Sequence, residues 1–183
     1  SLLRKKAQLE EAQKQLDAAW VLAREAGKMR GLLAATMHDT AATIAADSGR
    51  YAEARLQYEK AFELRSEILG DDHPDLAPSL DGIGRVQFFT DDPQGALKTM
   101  ERGLELREKA WGPEHPGVAT SLNNVGGVLR ILRRKEEARE RYLRALEIRE
   151  KLFGEDNPAV AIVLLNLSAV ELDLADVDQA IAT

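Results

Sequence analysis

A repeat of 42 residues runs along this sequence and constrains its fold more than any other feature. Three segments align without a gap: LGDDHPDLAPSLDGIG (69–84), WGPEHPGVATSLNNVG (111–126) and FGEDNPAVAIVLLNLS (153–168). Five sets of residues keep the step of 42, namely Gly70, Gly112 and Gly154; Pro74, Pro116 and Pro158; Leu80, Leu122 and Leu164; Ala42, Gly84, Gly126 and Ser168; and Ala12, Ala54, Ala96, Ala138 and Ala180. A fixed period of this length is typical of stacked structural repeats.

Each period predicts two helices. The first begins at the Pro of a His-Pro or Asn-Pro pair, because Pro is tolerated in the first helical turn and the residue before it prefers an extended backbone. A short polar link follows, and the second helix, for example 135–153, carries apolar residues at helical spacing. The glycine at 70, 112 or 154 is expected to end it. Asp92-Pro93 is expected to cap and open one second helix.

The period also predicts how the chain is organised. It gives a lone second helix (1–28), three complete repeats (31–70, 73–112 and 115–154) and a truncated fourth repeat (157–183). In the fourth repeat, a link at Ala175-Asp176 predicts a new helix from Val177, so we expect a fragment of a longer array. Neither helix of a pair can bury its apolar face alone, and we therefore expect an all-α solenoid of stacked pairs.

The residues at the repeat positions carry a family resemblance. Leu122, Val125 and Gly126 are followed twelve residues after the glycine by Ala138, then by an aromatic and another small residue. This pattern resembles the tetratricopeptide repeat over essentially the whole chain, and the length of 42 with the phrase GPEHPGVATSLNNVG is similar to the kinesin-light-chain type. The resemblance implies a right-handed superhelix with a peptide- or protein-binding groove lined by the first helices. Similar arrays occur in bacterial multidomain signalling proteins.

The predicted groove residues are those on first helices that packing does not require. They are Thr36, Asp39, Thr40, Thr43, Asp81, Arg85, Phe89, Thr120, Asn123, Asn124, Arg130 and Asn166. The resemblance implies that the asparagines hold the ligand backbone, since an amide both donates and accepts hydrogen bonds. Helix–helix hydrogen bonding or simple solvation is the alternative. We expect Phe89 to be an exposed anchor and Phe88 to pack beneath the next helix.

Composition excludes several classes of function. The sequence has 31 Asp+Glu against 25 Lys+Arg, and this acidity argues against a nucleic-acid binder. No catalytic motif occurs, so we expect no enzyme, no cofactor and no metal site. His73 and His115 share their repeat position with Asn157, which favours a structural role, and His38 is expected to be a half-buried substitute for Leu. With no cysteine and no targeting segment, we expect a soluble cytoplasmic protein.

The stretch 159–170 is the most apolar part of the chain. It has about a dozen residues, whereas a membrane span needs roughly 20, so we expect a buried helix and no membrane contact. It lies in an acidic end: residues 155–183 contain six acids and no base, whereas residues 130–151 contain nine bases and five acids. Pairs such as Glu136–Arg139, Glu137–Arg141 and Glu140–Arg144 have spacing for ion pairs within one helix. A patch for an acidic partner is the alternative.

The sequence thus favours a non-catalytic module that binds an extended peptide or partner segment in its groove. The alternative is a structural or regulatory spacer, or an element of self-association through the open ends of the array. The heptad of Leu2, Leu9 and Leu16 motivates this alternative, although the last two are also expected in the repeat core.

Overall fold

The computed structural model describes the backbone of residues 2–28 and 30–181 and the side chains of residues 4–28 and 30–175. Over these residues the fold is all-α, with eight α-helices, one 3-10 turn and no strand. The chain divides into two compact units, Ser1–Asp91 and Asp92–Thr183. This division falls between the two helices of the second predicted repeat.

Unit 1 contains four α-helices. They are α1 (Leu2–Glu25), α2 (Leu32–Asp47), α3 (Tyr51–Leu69) and, after a 3-10 turn (Pro74–Leu76), α4 (Ala77–Phe89). Leu16 of α1 is buried against Met37 and Ile44 of α2, and Leu9 packs on the edge of this cluster. The leucine heptad of α1 is therefore accounted for by packing inside the unit, except for Leu2, whose side chain lies outside the described residues.

Unit 2 also contains four α-helices. They are α5 (Pro93–Trp111), α6 (Pro116–Ile131), α7 (Lys135–Phe153) and α8 (Pro158–Ile181). The small residue of the period, Gly126, faces the ring of Tyr142, and a Cβ at this glycine would lie 2.9 Å from the nearest ring atom. Ala138 and Ala145, one turn to either side of Tyr142, are fully buried. Small residues on both helices thus allow α6 and α7 to approach closely.

Most of the predicted helix ends are confirmed: α6 and α8 begin at Pro116 and Pro158, and α3, α5 and α7 end just before a glycine, whereas Pro74 opens the 3-10 turn and α4 begins only at Ala77. The side chains of His115 and Asn157 cap α6 and α8, accepting hydrogen bonds from Gly117 N at 3.0 Å and Ala159 N at 2.8 Å, and His73 caps the 3-10 turn before α4, accepting from Asp75 N at 3.2 Å. Because both side chains can accept this hydrogen bond, Asn157 can take the place of the histidines at 73 and 115. The glycines after α3, α5 and α7 have φ of 85°, 80° and 78°, in the left-handed region that glycine enters at little cost.

The cap of α5 supports a stability prediction. The Asp92 carboxylate accepts a hydrogen bond from Gly95 N at 2.9 Å, and a Cβ at Gly95 would collide with that carboxylate. We expect Asp92→Ala to lower the free energy of unfolding by about 1 kcal/mol in urea denaturation. Asp92→Asn keeps an accepting oxygen and should remain close to wild type; equal losses in the two variants would contradict this role.

The last helix is longer than predicted. The expected link at Ala175-Asp176 and the new helix from Val177 are wrong, because α8 continues without a break to Ile181. At the three earlier links the residue at this repeat position has a positive φ: Gly49 at 76°, Asp91 at 63° and Arg133 at 62°. Ala175 stands at the same position, and alanine is the strongest helix former. Alanine thus favours the helix more than glycine or aspartate does, although Arg133, also a good helix former, has a positive φ at this position.

The prediction that 159–170 is a buried helix is also wrong. Val160 and Val163 are fully buried, but Leu164 is 42% exposed and Leu165 is 72% exposed. Leu122, the residue equivalent to Leu164 in α6, is fully buried. The difference arises because no second helix covers this face of α8 among the described residues.

The apolar stretch of α8 is longer than the sequence estimate. Pro158–Ala175 is apolar and long enough, by length and composition alone, to cross a membrane, and only 17% of this stretch is buried. Core helices of other proteins meet the same criterion. The exposed part of α8 is therefore an apolar surface.

The charges of α7 pair with other helices and not along α7 as predicted. Arg139 bonds Glu171 of α8, and Arg144 bonds Glu108 of α5, both at 2.6 Å. Glu137 pairs with Arg134 at the helix start. Arg139 and Arg144 are thus held by carboxylates of neighbouring helices, whereas Glu137 is held by Arg134, which together with a smaller contribution from Arg141 lowers the pKa of the Glu137 carboxyl. The basic stretch is thus partly neutralised by the acidic α8.

Candidate interaction surface

The predicted groove residues lie on one flank of each first helix, and we call these flanks the first-helix faces. Unit 1 carries the faces of α2 and α4, and unit 2 carries those of α6 and α8. Thr36, Thr40, Thr43, Phe89 and Thr120 are exposed. The other seven residues are half-buried: Asp39, Asp81, Arg85, Asn123, Asn124, Arg130 and Asn166.

A hydrogen-bond chain crosses the first-helix faces of unit 1. Arg85 Nη2 donates to the Tyr58 hydroxyl at 3.0 Å, and this hydroxyl lies 3.0 Å from Thr43 Oγ1. Thr43 donates its own proton to the carbonyl of Asp39 at 2.9 Å, so Tyr58 must donate to Thr43. The chain fixes Arg85 of α4 relative to α2 through α3.

Phe89 is an ordered aromatic side chain at the surface. It is 55% exposed, and its ring stacks on Tyr51 with centroids 5.5 Å apart and planes at 10°. Phe88 meets it edge-on at 5.5 Å. Because Arg85 and Phe89 are four residues apart, they occupy the same side of α4. A cation and an aromatic ring therefore lie on the same side of α4, about one turn apart.

The threonines of the first-helix faces present acceptors. Thr36 and Thr40 donate their hydroxyl protons to the carbonyls of Leu32 and Thr36, at 2.9 and 3.0 Å, and Thr120 donates to Pro116 O at 3.2 Å. These hydroxyl protons are used within their own helices. The oxygen lone pairs point away from the helix, so the threonine edge accepts hydrogen bonds from N–H groups.

The face of unit 2 carries an amide pair. Asn166 Nδ2 of α8 donates to Asn123 Oδ1 of α6 at 2.9 Å, and Asn124 is half-buried on α6. This bond joins two first helices. Asn123 and Asn166 therefore take part in the helix–helix hydrogen bonding that was the alternative to ligand binding. Arg130 is paired with Asp173 of α8 at 3.1 Å, which reduces its availability as a cation.

Three buried arginines were missed in the sequence. Arg65, Arg107 and Arg149 are 9%, 7% and 9% exposed. Arg65 donates to Ser79 Oγ at 2.7 Å, Arg107 donates to Ser121, and Arg149 donates to the carbonyl of Ala159 at 2.6 Å. Each arginine thus joins a second helix to the next first helix. Their constant spacing of 42 residues was the signal in the sequence that could have identified them.

Arg65 also forms an ion pair with Asp39, one of the predicted groove residues. The Asp39 carboxylate pairs with Arg65 at 2.5 Å and accepts a hydrogen bond from Ser79 at 2.9 Å. Burial raises the pKa of the Asp39 carboxyl, and it outweighs the lowering by Arg65 and Ser79. A ligand at this position of α2 would meet a carboxylate that is already engaged. Its role in binding stays a prediction.

The three histidines make structural contacts. His38 is half-buried, as expected, with Nδ1 2.6 Å from Gln57 Oε1 and its ring edge-on to Trp20 at 4.9 Å. His73 and His115 are the helix caps described above. Among the residues with described side chains, no group of three His, Cys, Asp or Glu is placed to hold a metal ion.

Comparison with known proteins identifies the family. The model of the tetratricopeptide repeat matches residues 32–109, 104–151 and 117–183. In three dimensions the chain is similar to BtubC (BKLC) from P. vanneervenii, with 26% identity, 96% of this chain and 69% of that chain covered, and a TM-score of 0.74. None of the curated proteins compared with the sequence matches it.

Two further solved structures are similar in fold. One is a Podosopora anserina protein described as a kinesin light chain with nearly identical TPR-like repeats (18% identity, 97% of this chain and 90% of that chain, TM-score 0.69). The other is the first TPR of Spaghetti (RPAP3) bound to the HSP90 peptide SRMEEVD (17%, 80% and 97%, TM-score 0.58). At these identities the likeness shows the fold alone. Because the family model matches from residue 32 to residue 183, the chain belongs to the tetratricopeptide repeat family, and its structural neighbours include kinesin-light-chain-like members.

Proposed function

We propose that this chain is a non-catalytic protein-interaction module that binds an extended peptide or partner segment along its first-helix faces. The observation that carries the proposal is Phe89, an exposed aromatic side chain that stacks on Tyr51 and lies one helical turn from Arg85 on α4. An apolar ring held rigid at a surface loses little entropy on binding, and such rings dominate binding energies. Membership of the repeat family, and a related fold that holds an HSP90 peptide, support the same proposal.

The polar residues of the two units suit a peptide backbone. In unit 1 the threonine oxygens accept hydrogen bonds from N–H groups, and Arg85 offers a positive charge. In unit 2 the amides of Asn123, Asn124 and Asn166 offer both donors and acceptors. An extended segment presents alternating N–H and C=O groups, so unit 1 offers acceptors for its N–H groups, and unit 2 by itself offers partners for both kinds of group.

Peptide selection followed by affinity measurement tests this function. Peptides are selected from a random library on the wild-type chain, and their dissociation constants are measured by calorimetry for the variants. Phe89→Ala should weaken binding by at least about tenfold, as expected for an aromatic anchor. Asn124→Ala combined with Asn166→Ala should weaken it as well, because the ligand backbone loses its amide partners.

Phe153→Ala is the matched control. Phe153 is 47% exposed, nearly as much as Phe89, but it ends α7, a second helix. Its replacement should leave the dissociation constant within about twofold. The proposal fails if no peptide is selected, or if the groove variants bind every selected peptide as the wild type does.

A further inference from the structure

The Tyr142 hydroxyl is a polar group that the fold of unit 2 leaves without a partner. Tyr142 of α7 is 2% exposed, and its ring lies against Gly126 of α6. Within the described part of the chain, its hydroxyl makes no hydrogen bond. A polar group on a buried side chain costs free energy when it is unpaired, so this hydroxyl calls for an explanation.

Tyr58, two repeats earlier, shows which partners such a hydroxyl takes. It donates a hydrogen bond to Thr43 of its own helix pair and accepts one from Arg85 of the next first helix, both at 3.0 Å. Gly127 and Ala169 stand at the positions of Thr43 and Arg85 in unit 2. Neither has a side chain that can form a hydrogen bond. Both internal partners are therefore missing in unit 2.

Gly127 leaves an opening between the first-helix face of α6 and this hydroxyl. Gly127 is half-buried on α6. Outside the backbone of its own helix, a Cβ built at Gly127 would have a single described atom within 4 Å, the Tyr142 hydroxyl oxygen at 3.5 Å. The space that Thr43 fills in the first repeat is thus empty here, with the hydroxyl at its floor. We call this space the Gly127 notch.

The surroundings of the Gly127 notch suit a neutral hydrogen-bonding group. Burial raises the pKa of the Tyr142 hydroxyl, against a smaller lowering by Arg130, so the hydroxyl keeps its proton at neutral pH and can donate it. The charge of Arg130 is balanced by Asp173 of α8 at 3.1 Å. Asn124, three residues before Gly127, lies on the same side of α6 and has an amide that both donates and accepts.

We propose that the Gly127 notch receives a serine or threonine side chain of the segment bound on the first-helix faces. The ligand hydroxyl accepts a hydrogen bond from Tyr142, as Thr43 accepts one from Tyr58, and donates its own proton to the amide oxygen of Asn124. A short side chain suits a space that one residue of α6 would otherwise fill. This inference rests on the proposed function, because it specifies one residue of the ligand.

Tyr142→Phe tests the contact, since it removes the hydroxyl and keeps the ring. Peptides are selected from a random library on the wild-type chain, and their dissociation constants are measured by calorimetry. Tyr142→Phe should raise the dissociation constant by about 3- to 10-fold, the effect of one hydrogen bond. Changing the serine or threonine of the peptide to alanine should weaken binding to the wild type similarly, and should have no further effect on binding to Tyr142→Phe.

Gly127→Thr tests the notch itself. It supplies the side chain that stands at this position in the first repeat, so the Tyr142 hydroxyl gains a partner inside the fold. We expect the selected peptides to bind at least about 3- to 10-fold more weakly, because their hydroxyl is displaced. The urea midpoint should stay equal to that of the wild type or rise. Peptides selected on Gly127→Thr should show no preference for serine or threonine.

Two other variants provide matched controls. Tyr58→Phe breaks two internal hydrogen bonds and should lower the urea midpoint, whereas Tyr142→Phe breaks none and should keep it. Leu143, beside Tyr142 on α7, is 38% exposed, and Leu143→Ala should bind the peptides as the wild type does. A lowered midpoint in Tyr142→Phe would overturn the inference, because the hydroxyl would then serve the fold.

The failure of this inference can be told apart from the failure of the proposed function. If Tyr142→Phe binds every selected peptide as the wild type does while Phe89→Ala weakens binding, the notch is not used and the proposed function stands. If the selected peptides show no serine or threonine whose replacement depends on Tyr142, the assignment of the ligand residue is wrong. If no peptide is selected, both proposals fail.

Discussion

Replacement of Arg65 by methionine is expected to lower the free energy of unfolding by about 3–5 kcal/mol, the cost of breaking a buried ion pair from one side. The Arg65 guanidinium holds the Asp39 carboxylate of α2 and the Ser79 hydroxyl of α4. Methionine fills much of the space but donates no hydrogen bond. The variant leaves a half-buried carboxylate without its counter-charge, and urea denaturation followed by circular dichroism measures the loss.

Two other substitutions separate this effect from a general sensitivity of α3. Asp39→Asn should cost less than Arg65→Met, because Asn123 stands at the same position in the third repeat and burial already disfavours the Asp39 charge. Arg55→Met removes an exposed ion pair with Glu59 from the same helix and should cost at most about 1 kcal/mol. If Arg55→Met were as harmful as Arg65→Met, the buried ion pair would not be the cause.

The loss of unfolding free energy in Arg65→Met should depend on pH, because it depends on the ionisation of the Asp39 carboxyl. Its pKa in the folded chain is already raised above 3.8 by burial, and removal of Arg65 takes away the largest opposing cause. A carboxyl with a raised pKa in the folded state stabilises the fold most when it is protonated and loses this contribution as the pH rises through that pKa. The defect should therefore shrink as the pH falls from neutral towards 4. A constant defect would contradict the assignment.

Local signals in the sequence were sufficient to place most of the helices. Proline after a capping His or Asn starts a first helix, and glycine in the left-handed region ends a second helix, so these boundaries depend on a few neighbouring residues. Ala175 is a position at which the 42-residue period predicts the end of a helix wrongly. The register places a link there, but alanine lacks the backbone preference of Gly49 and Asp91, and α8 continues.

The roles of charged residues could be predicted less well than the helices. Arg65, Arg107 and Arg149 stand 42 residues apart, and this constancy in a second helix was visible in the sequence. Their role depends on partners in the next first helix, at a sequence distance of 14 for Ser79 and Ser121. Likewise, Arg139 has a carboxylate at helical spacing but pairs with Glu171, 32 residues away. Only packing decides between such partners.

The direction of each tyrosine depends on where a glycine leaves room. Tyr58 lies against Gly82 of the next first helix, whereas Tyr142 lies against Gly126 of its own pair. In the first repeat the position of Gly126 is occupied by Ala42, and in the fourth the position of Gly82 is occupied by Asn166. Each ring thus turns towards the glycine within its reach. The period alone treats the two tyrosines as equivalent.

Gly82→Ala is accordingly expected to lower the free energy of unfolding by about 2–3 kcal/mol, the cost of overpacking a core. In most helices this change stabilises by about 1 kcal/mol. Here the new Cβ would collide with three atoms of the Tyr58 ring, Cδ1, Cε1 and Cζ. The ring is 4% exposed and its hydroxyl is held by Thr43 and Arg85, so it cannot move aside without breaking that chain.

Gly127→Ala is a control that is expected to raise the free energy of unfolding instead of lowering it. Its Cβ would lie 3.5 Å from the Tyr142 hydroxyl, an ordinary contact, so the usual gain of up to about 1 kcal/mol should appear in the same denaturation experiment. Tyr58→Met added to Gly82→Ala should restore part of the loss, because Met100 takes the tyrosine position and Asn124 the glycine position in the following repeat. If Gly82→Ala were stabilising, or if Tyr58→Met gave no rescue, the ring of Tyr58 would not be what requires a glycine in α4.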